Sequence, residues 1–225
     1  VFGRGRLGKV PAQGGYGVTV PGIPAAWAEA GRRFGRLPFA ELFTSAISYA
    51  EDGYPVAPVV SRLWADDYAT FRPLRGETEI APWFDTFTVD GKAPRAGQVV
   101  KLPELGQTLR ELASTDCESF YRGELARRID AWSRHSGGWL RYDDLAAYQP
   151  EWVEPMSVDY RGYRVWELPP NGHGIVVLMT LGILSGFERL DGGTESVHRA
   201  IEAMKLAYAD GKHYIADRRY MTCTA

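Results

Sequence analysis

The sequence predicts an α+β fold, rich in helix and poor in strand, from three observations. Apolar residues recur at helical spacing through most of 23–71 and 105–133 and again after 194. One stretch, 152–168, alternates with period two. Residues 174–184 are apolar on nearly every side, as a buried helix requires, and are too long for a strand.

Residues 1–20 are Gly-rich and irregular, closing in Tyr16-Gly17-Val18-Thr19-Val20, whose alternation predicts a short strand before Pro21-Gly22. Pro24 suits the first turn of a helix in which Trp27, Ala30 and Phe34 share a face, and Gly35 is placed to end it in the left-handed conformation. Pro38 opens a second helix carrying Phe39, Leu42, Phe43, Ala46, Ile47 and Ala50, stopped by Gly53 and Pro55. A third spans Pro58 to Phe71, with Val60, Leu63, Trp64, Asp67 and Phe71 on one side. Four of the 14 prolines fall in 73–103 with a turn at Asp90-Gly91, so this stretch reads as an excursion with a small hairpin rather than a helix.

Leu105, Leu109 and Leu112 mark the next helix, and another runs from Ser119 to Ser133 with Phe120, Leu125, Ile129 and Trp132 inward, closed by Gly137-Gly138. Asp143 or Asp144 caps a short turn ending at Tyr148. Val158, Tyr160, Tyr163 and Val165, broken at Arg161-Gly162, give two strands or one bent strand. Thr194 is placed as N-cap of a last helix in which Val197, Ile201, Met204 and Tyr208 share a face until Gly211. Two lone strands do not make a stable sheet. The expectation is one incomplete domain over 1–225, with further strands supplied from outside it.

With 45% hydrophobic residues and seven Trp in 225, the chain has material for a packed core. The 26 basic and 28 acidic residues are interspersed, which leaves no footprint for nucleic acid or an anionic membrane. The longest apolar run is far short of the roughly 20 residues of a membrane span. Nothing in the sequence assigns a compartment. Cys117 and Cys223 stand apart with no metal-ligand spacing, so no zinc site or disulfide framework is signalled.

Gly3-Arg4-Gly5-Arg6-Leu7-Gly8 matches a dinucleotide-binding pattern in letters but lacks the preceding strand and following helix that give the pattern its chemistry. His135, His173, His198 and His213 form no metal-binding helix motif, and no nucleophile elbow is present. The neighbouring pairs Asp66-Asp67 and Asp143-Asp144 point different ways and read as caps or solvated residues.

Pro169-Pro170-Asn171-Gly172-His173-Gly174 is different in kind. Two prolines fix an extended approach, and two glycines permit a tight turn into the N-terminus of a buried helix, where backbone N–H groups favour an anion. Two readings fit: a rigid strand-to-helix joint, or a substrate pocket lined by Asn171, Gly172 and His173.

Val20-Pro21-Gly22, then Phe34-Gly35-Arg36-Leu37-Pro38-Phe39, resembles a segment of the γ-glutamyltranspeptidase family. So do Ala46 to Val56, Phe120-Tyr121-Arg122-Gly123-Glu124-Leu125-Ala126, Gly137-Gly138 with Leu145-Ala146-Ala147-Tyr148, Tyr160-Arg161-Gly162-Tyr163 with Pro169-Pro170, and Ala207-Tyr208-Ala209-Asp210, all in the family's order. The resemblance implies a large-subunit segment of a four-layer αββα N-terminal-nucleophile hydrolase that cleaves itself before a Thr. The freed amine of that Thr is base to its own hydroxyl, so no cofactor or metal is required.

That Thr begins a T-T-H-like run in the family, and none occurs here; Thr222-Cys223-Thr224-Ala225 does not supply it. No catalytic residue is therefore assigned within this chain. The implied partners are a small-subunit segment bearing the Thr and a small amide substrate such as a γ-glutamyl compound. Where transpeptidases proper show P-P-S-S-G-G, this chain has Pro170-Asn171-Gly172-His173-Gly174, a form that looks like a transpeptidase-like bacterial branch. An acylase of another amide, such as a cephalosporin, and an inactive scaffold relative are the alternatives.

Overall fold

The computed structural model describes residues 14–188 and 191–222. The glycine pattern at 3–8 and Cys223 lie outside the described residues. The chain divides into two compact units at Pro150 and Glu151.

The first unit is built of short helices that begin where proline sits free of backbone donors. Helix α1 (Ile23–Phe34), α3 (Pro58–Phe71), α4 (Ala81–Phe87) and α5 (Pro103–Ser114) each carry Pro at the first or second position, where its missing N–H costs nothing. A 3-10 turn, Phe39–Phe43, leads into α2 (Thr44–Asp52). Phe43, Ile47, Leu112, Cys117 and Leu125 form the main core, with Trp27 and Phe39 set edge-on to Phe43 at 6.0 and 5.1 Å between ring centres.

A second cluster joins Val56, Val100 and Leu102, where β1 (Tyr54–Pro55) pairs antiparallel with β2 (Val99–Val100). Gly53 at φ 96° makes the approach possible, because a Cβ there would meet the Val100 carbonyl oxygen at 3.0 Å. This pairing across 45 residues carries no local signal. Asp90 and Gly91 turn at positive φ between Val89 and Lys92, the small hairpin expected.

Four expectations are corrected in this unit. Tyr16 to Val20 is not a strand: Gly15–Gly17 is a 3-10 turn, and the Tyr16 ring packs edge-on against Trp139 at 4.9 Å instead of lying along a sheet. Gly35 is extended, not left-handed. The stretch 73–103 holds α4, whose Trp83, Phe84 and Phe87 gather with Tyr68 and Phe71 in an aromatic cluster, a tertiary gain that outweighs the turn-rich composition. The helix from Ser119 to Ser133 is two helices, α6 (Glu118–Arg122) and α7 (Glu124–His135), parted at Gly123. Ser119 holds the joint: its hydroxyl accepts the Leu125 N–H at 3.2 Å and bonds the Glu111 carboxylate. A Cβ on Gly123 would press the Ser119 Cα at 2.7 Å.

Tyr121, 3% exposed, ties the start of the unit to its end. Its hydroxyl donates to the Pro21 carbonyl at 2.7 Å and accepts the Ala25 N–H at 3.1 Å, so it satisfies a first-turn donor of α1 that no side chain of α1 reaches. Its ring stacks on Tyr148, just past α8 (Tyr142–Ala147). Asp144 caps α8 by accepting the Arg141 N–H at 2.9 Å.

In the second unit β3 (Met156–Tyr160) and β4 (Tyr163–Glu167) form one antiparallel hairpin, Met156 opposite Glu167 and Tyr160 opposite Tyr163. Arg161 and Gly162 turn it with both φ positive, the sense that matches strand twist. Helix α9 (Gly174–Ser185) packs on the hairpin and on α10 (Thr194–Tyr214) through Ile175, Val176 and Ala207. Ala203, Ala207 and Gly211 recur every fourth residue on α10, and their small size admits α9; a Cβ on Gly211 would meet a Val176 methyl at 2.7 Å.

Thr194 is the first helical residue rather than the cap. The cap position is Gly193, with no side-chain cap, and Asp191 holds the turn that leads into it by accepting the Gly193 N–H at 2.9 Å. Gly211 lies inside α10, which runs on to Tyr214 because the tight contact with Val176 needs a glycine there in helical geometry. The face of Val197, Ile201, Met204 and Tyr208 is 43–53% exposed, while the small-residue face is the buried one. Tyr163 and Trp166 of the hairpin are 77% and 55% exposed. These apolar faces are not covered among the described residues.

Candidate substrate-binding site

After β4 the chain runs through Leu168 and Pro169 to a buried Pro170, then through exposed Asn171, Gly172 and His173 into α9. Gly174 must be glycine for a local reason: a Cβ would come within 2.9 Å of the Glu167 side-chain Cβ and 2.5 Å of its carboxylate. The N-terminus of α9 thus already faces a carboxylate of its own chain, which complements the helix dipole.

Asn171 lies in the lining of a cavity of about 450 Å³ with Pro170, Glu151, Asp217, Arg218 and Arg219. Gly172 and His173 are not among its walls. Gly172 has nothing within 4 Å of where a Cβ would stand, and the His173 ring lies tilted 6.3 Å from that of Tyr208.

The cavity's charges are organised by one short 3-10 turn, Arg218–Tyr220. Asp217 caps that turn by accepting the Arg219 N–H at 3.0 Å, and it receives the Arg219 guanidinium at 3.1 and 2.6 Å. The side-chain bond from Arg219, followed by the backbone bond, holds the Asp217 carboxyl at about 2. The carboxylates of Asp217 and, further off, Glu151 keep Arg219 charged.

Arg218 makes no hydrogen bond or ion pair among the described residues. With Arg219 neutralised by Asp217, the cavity keeps one further cation, Arg218, and one further carboxylate, Glu151, beside the Asn171 carboxamide, which offers both a donor and an acceptor. Sequence reasoning reached Asn171 and missed Asp217, Arg218 and Arg219; the Asp-Arg-Arg run just past the last helix was the available signal.

A larger cavity of about 730 Å³ lies in the first unit, walled mainly by Phe120, Leu125, Ile129, Trp132 and Leu140. Its hydroxyls are taken up structurally: Thr108 and Ser136 bond backbone carbonyls, and Ser133 accepts from Arg141. None is paired with a base. No cluster of three metal-ligating side chains occurs among the described residues, and no described helix is long and apolar enough to cross a membrane.

The γ-glutamyltranspeptidase family model matches residues 2–225. The chain belongs to this family. It corresponds to the N-terminal large-subunit region of its relatives and spans about two fifths of their length. It is 36% identical over 210 residues to the oxamate amidohydrolase proenzyme of Klebsiella pneumoniae, covering 91% of this chain and 39% of that protein.

Among solved structures, the cephalosporin acylase of Bacillus halodurans matches with a TM-score of 0.87 at 47% identity, over 94% of this chain and 40% of the other. The γ-glutamyltranspeptidase of Helicobacter pylori matches with a TM-score of 0.84 at 24% identity, over 94% and 60%, a likeness of fold. The helix-rich segment with small sheets is therefore part of the architecture of these hydrolases. The family's curated members include glutathione hydrolases and acylases, many of them proenzymes.

Proposed function

We propose that this chain is the large-subunit portion of a γ-glutamyltransferase or hydrolase that cleaves γ-glutamyl amides through an acyl-enzyme on a Thr outside residues 1–225. The observation that carries the proposal is the family match over 2–225 together with the absence of a Thr-led catalytic run within it. The Thr hydroxyl attacks the amide carbonyl while its own amine takes the proton, the amine product leaves, and water or an amino acid collects the acyl group. The chain alone is inactive. The rest of the polypeptide completes the sandwich and covers the apolar faces of α10 and the hairpin, making one domain of what is here an incomplete one.

Asn171, Gly172 and His173 border the substrate in this proposal. Asn171 and Arg218 hold an anionic part of it, and the backbone of Gly172 and the ring of His173 form the rim. A second reading is an acylase of another amide, favoured by the 47% identity to a cephalosporin acylase. Expression of the full gene decides between them. Release of a chromogenic amine from a γ-glutamyl anilide supports the glutamyl reading; release only from a cephalosporin-type amide transfers the assignment to the acylase. A precursor that neither cleaves itself nor turns over any amide identifies a scaffold protein.

A further inference from the structure

Asn171 is the chain's single asparagine, and a glycine follows it. An asparagine side chain is chemically stable only while its carboxamide carbon is kept from the backbone nitrogen of the next residue. A bulky neighbour, a hydrogen bond on that nitrogen, or a bond that fixes the carboxamide will each do so. None of the three operates here. Gly172 brings no side chain, and nothing stands within 4 Å of its Cβ position. Its N–H takes part in no hydrogen bond among the described residues, and neither does the Asn171 carboxamide. Both residues are exposed in a loop that follows a rigid Pro-Pro step, so the attack geometry requires rotation at this one place.

We propose that Asn171-Gly172 is a self-modifying site that deamidates through a cyclic imide. The Gly172 nitrogen bonds to the Asn171 Cγ, the bond from Cγ to Nδ2 breaks, and ammonia departs with the proton that Gly172 gives up. Water then opens the five-membered imide at either carbonyl, leaving aspartate or isoaspartate at 171. The sum is one water consumed and one ammonia released, with no oxidant. The product carries a new carboxylate in the cavity beside Arg218, the cation there with no partner among the described residues. The modification therefore adds a negative charge beside Arg218 in a cavity that already holds the Glu151 and Asp217 carboxylates, which disfavours an incoming anion. The inference does not depend on which amide the enzyme cleaves.

Freshly purified full-length protein is incubated at mildly alkaline pH and digested after Arg and Lys. The peptide spanning 165–189 contains Asn171 as its sole carboxamide side chain. It is expected to gain about 1 Da and to split into two chromatographic forms, the aspartyl and isoaspartyl products. Gly172→Ala, which meets no neighbour and leaves the fold intact, is expected to slow the gain about tenfold by crowding the nitrogen. A peptide that keeps its mass in folded protein but gains it in urea-unfolded protein overturns the inference, because the loop then protects the site. Equal rates in the Gly172→Ala variant overturn it as well, because the route through the Gly172 nitrogen is then wrong.

Discussion

Tyr121→Phe isolates one hydroxyl on which the first unit depends. The ring is 3% exposed and its stacking on Tyr148, at 5.3 Å between centres, survives in phenylalanine. What disappears is the bridge from the Pro21 carbonyl to the Ala25 N–H, spanning 100 and 96 residues of chain. Each lost hydrogen bond costs about 1 kcal/mol, and leaving a half-buried donor and acceptor unpaired raises the sum to about 2–3 kcal/mol. For a protein of this size that lowers the thermal midpoint by roughly 6 °C. Circular-dichroism melts of wild type and variant measure it, and amide exchange at Ala25 is expected to quicken in step.

The pH dependence supplies a second arm. Burial is the main cause that pushes the Tyr121 phenol above its usual value, partly opposed by the bond from the Ala25 N–H. A folded-state value above the unfolded one gives stability that is present below pH ~10 and fades as pH rises through the folded value. The gap between wild type and Tyr121→Phe should therefore narrow above pH ~10. A midpoint changed by less than about 1 °C at neutral pH would refute the claim that this hydroxyl fastens α1 to the rest of the unit.

The other predictions concern the core, the small-residue face, the cavity and the uncovered surfaces. Burial, then the charges of Asp116 and Glu118, pushes the Cys117 thiol from 9.0 up to about 11. Native protein should resist thiol reagents at pH ~8 and lose about 2 kcal/mol between pH ~9 and ~11, a loss that Cys117→Ala abolishes; rapid native labelling refutes this. Ala207→Leu forces bulk between α10 and Val176 and should cost about 1–3 kcal/mol in urea unfolding, against no change if the helices slide freely. Arg218→Gln in the full-length enzyme should raise KM for a carboxylate-bearing amide about tenfold and leave kcat alone; an equal effect on an uncharged amide removes the anion role. Residues 1–225 expressed alone should bind a hydrophobic dye, and a compact, dye-negative monomer would contradict the missing-partner account.

Local signals in the sequence located most elements, because prolines and turn residues act within a few positions. Helix α3 begins and ends where Pro58 and Phe71 place it, and Arg161-Gly162 turns the hairpin where the alternation breaks. The failures share a cause in contacts between distant residues. Gly123 divides a continuous apolar stripe because Ser119 bonds across the joint. Trp83 and Phe84 form a helix in a proline-rich stretch because Tyr68 and Phe71 meet them. In the candidate site the Pro-Pro-Asn-Gly turn was visible as an oddity, whereas Arg218 was not, since its role depends on Asp217 engaging Arg219 and leaving it alone.

Helix α10 explains how a family can be legible in a segment whose substrate is not. Its buried line of Ala203, Ala207 and Gly211 is fixed by the approach of α9, so it specifies architecture and tolerates little change. Its opposite face, Val197 to Tyr208, answers to whatever covers it, and the relatives that share this segment act on amides as different as oxamate and cephalosporins by name. Substrate choice must then lie in groups that reach the reacting amide. In the proposed site these are the groups of the cavity around Asn171, where Arg218 and Glu151 are the charges outside the Asp217–Arg219 pair. A comparison of substrates that differ only in one carboxylate, run on the full-length enzyme with and without Arg218, bears directly on specificity. Substitutions in the α9–α10 contact should change stability alone.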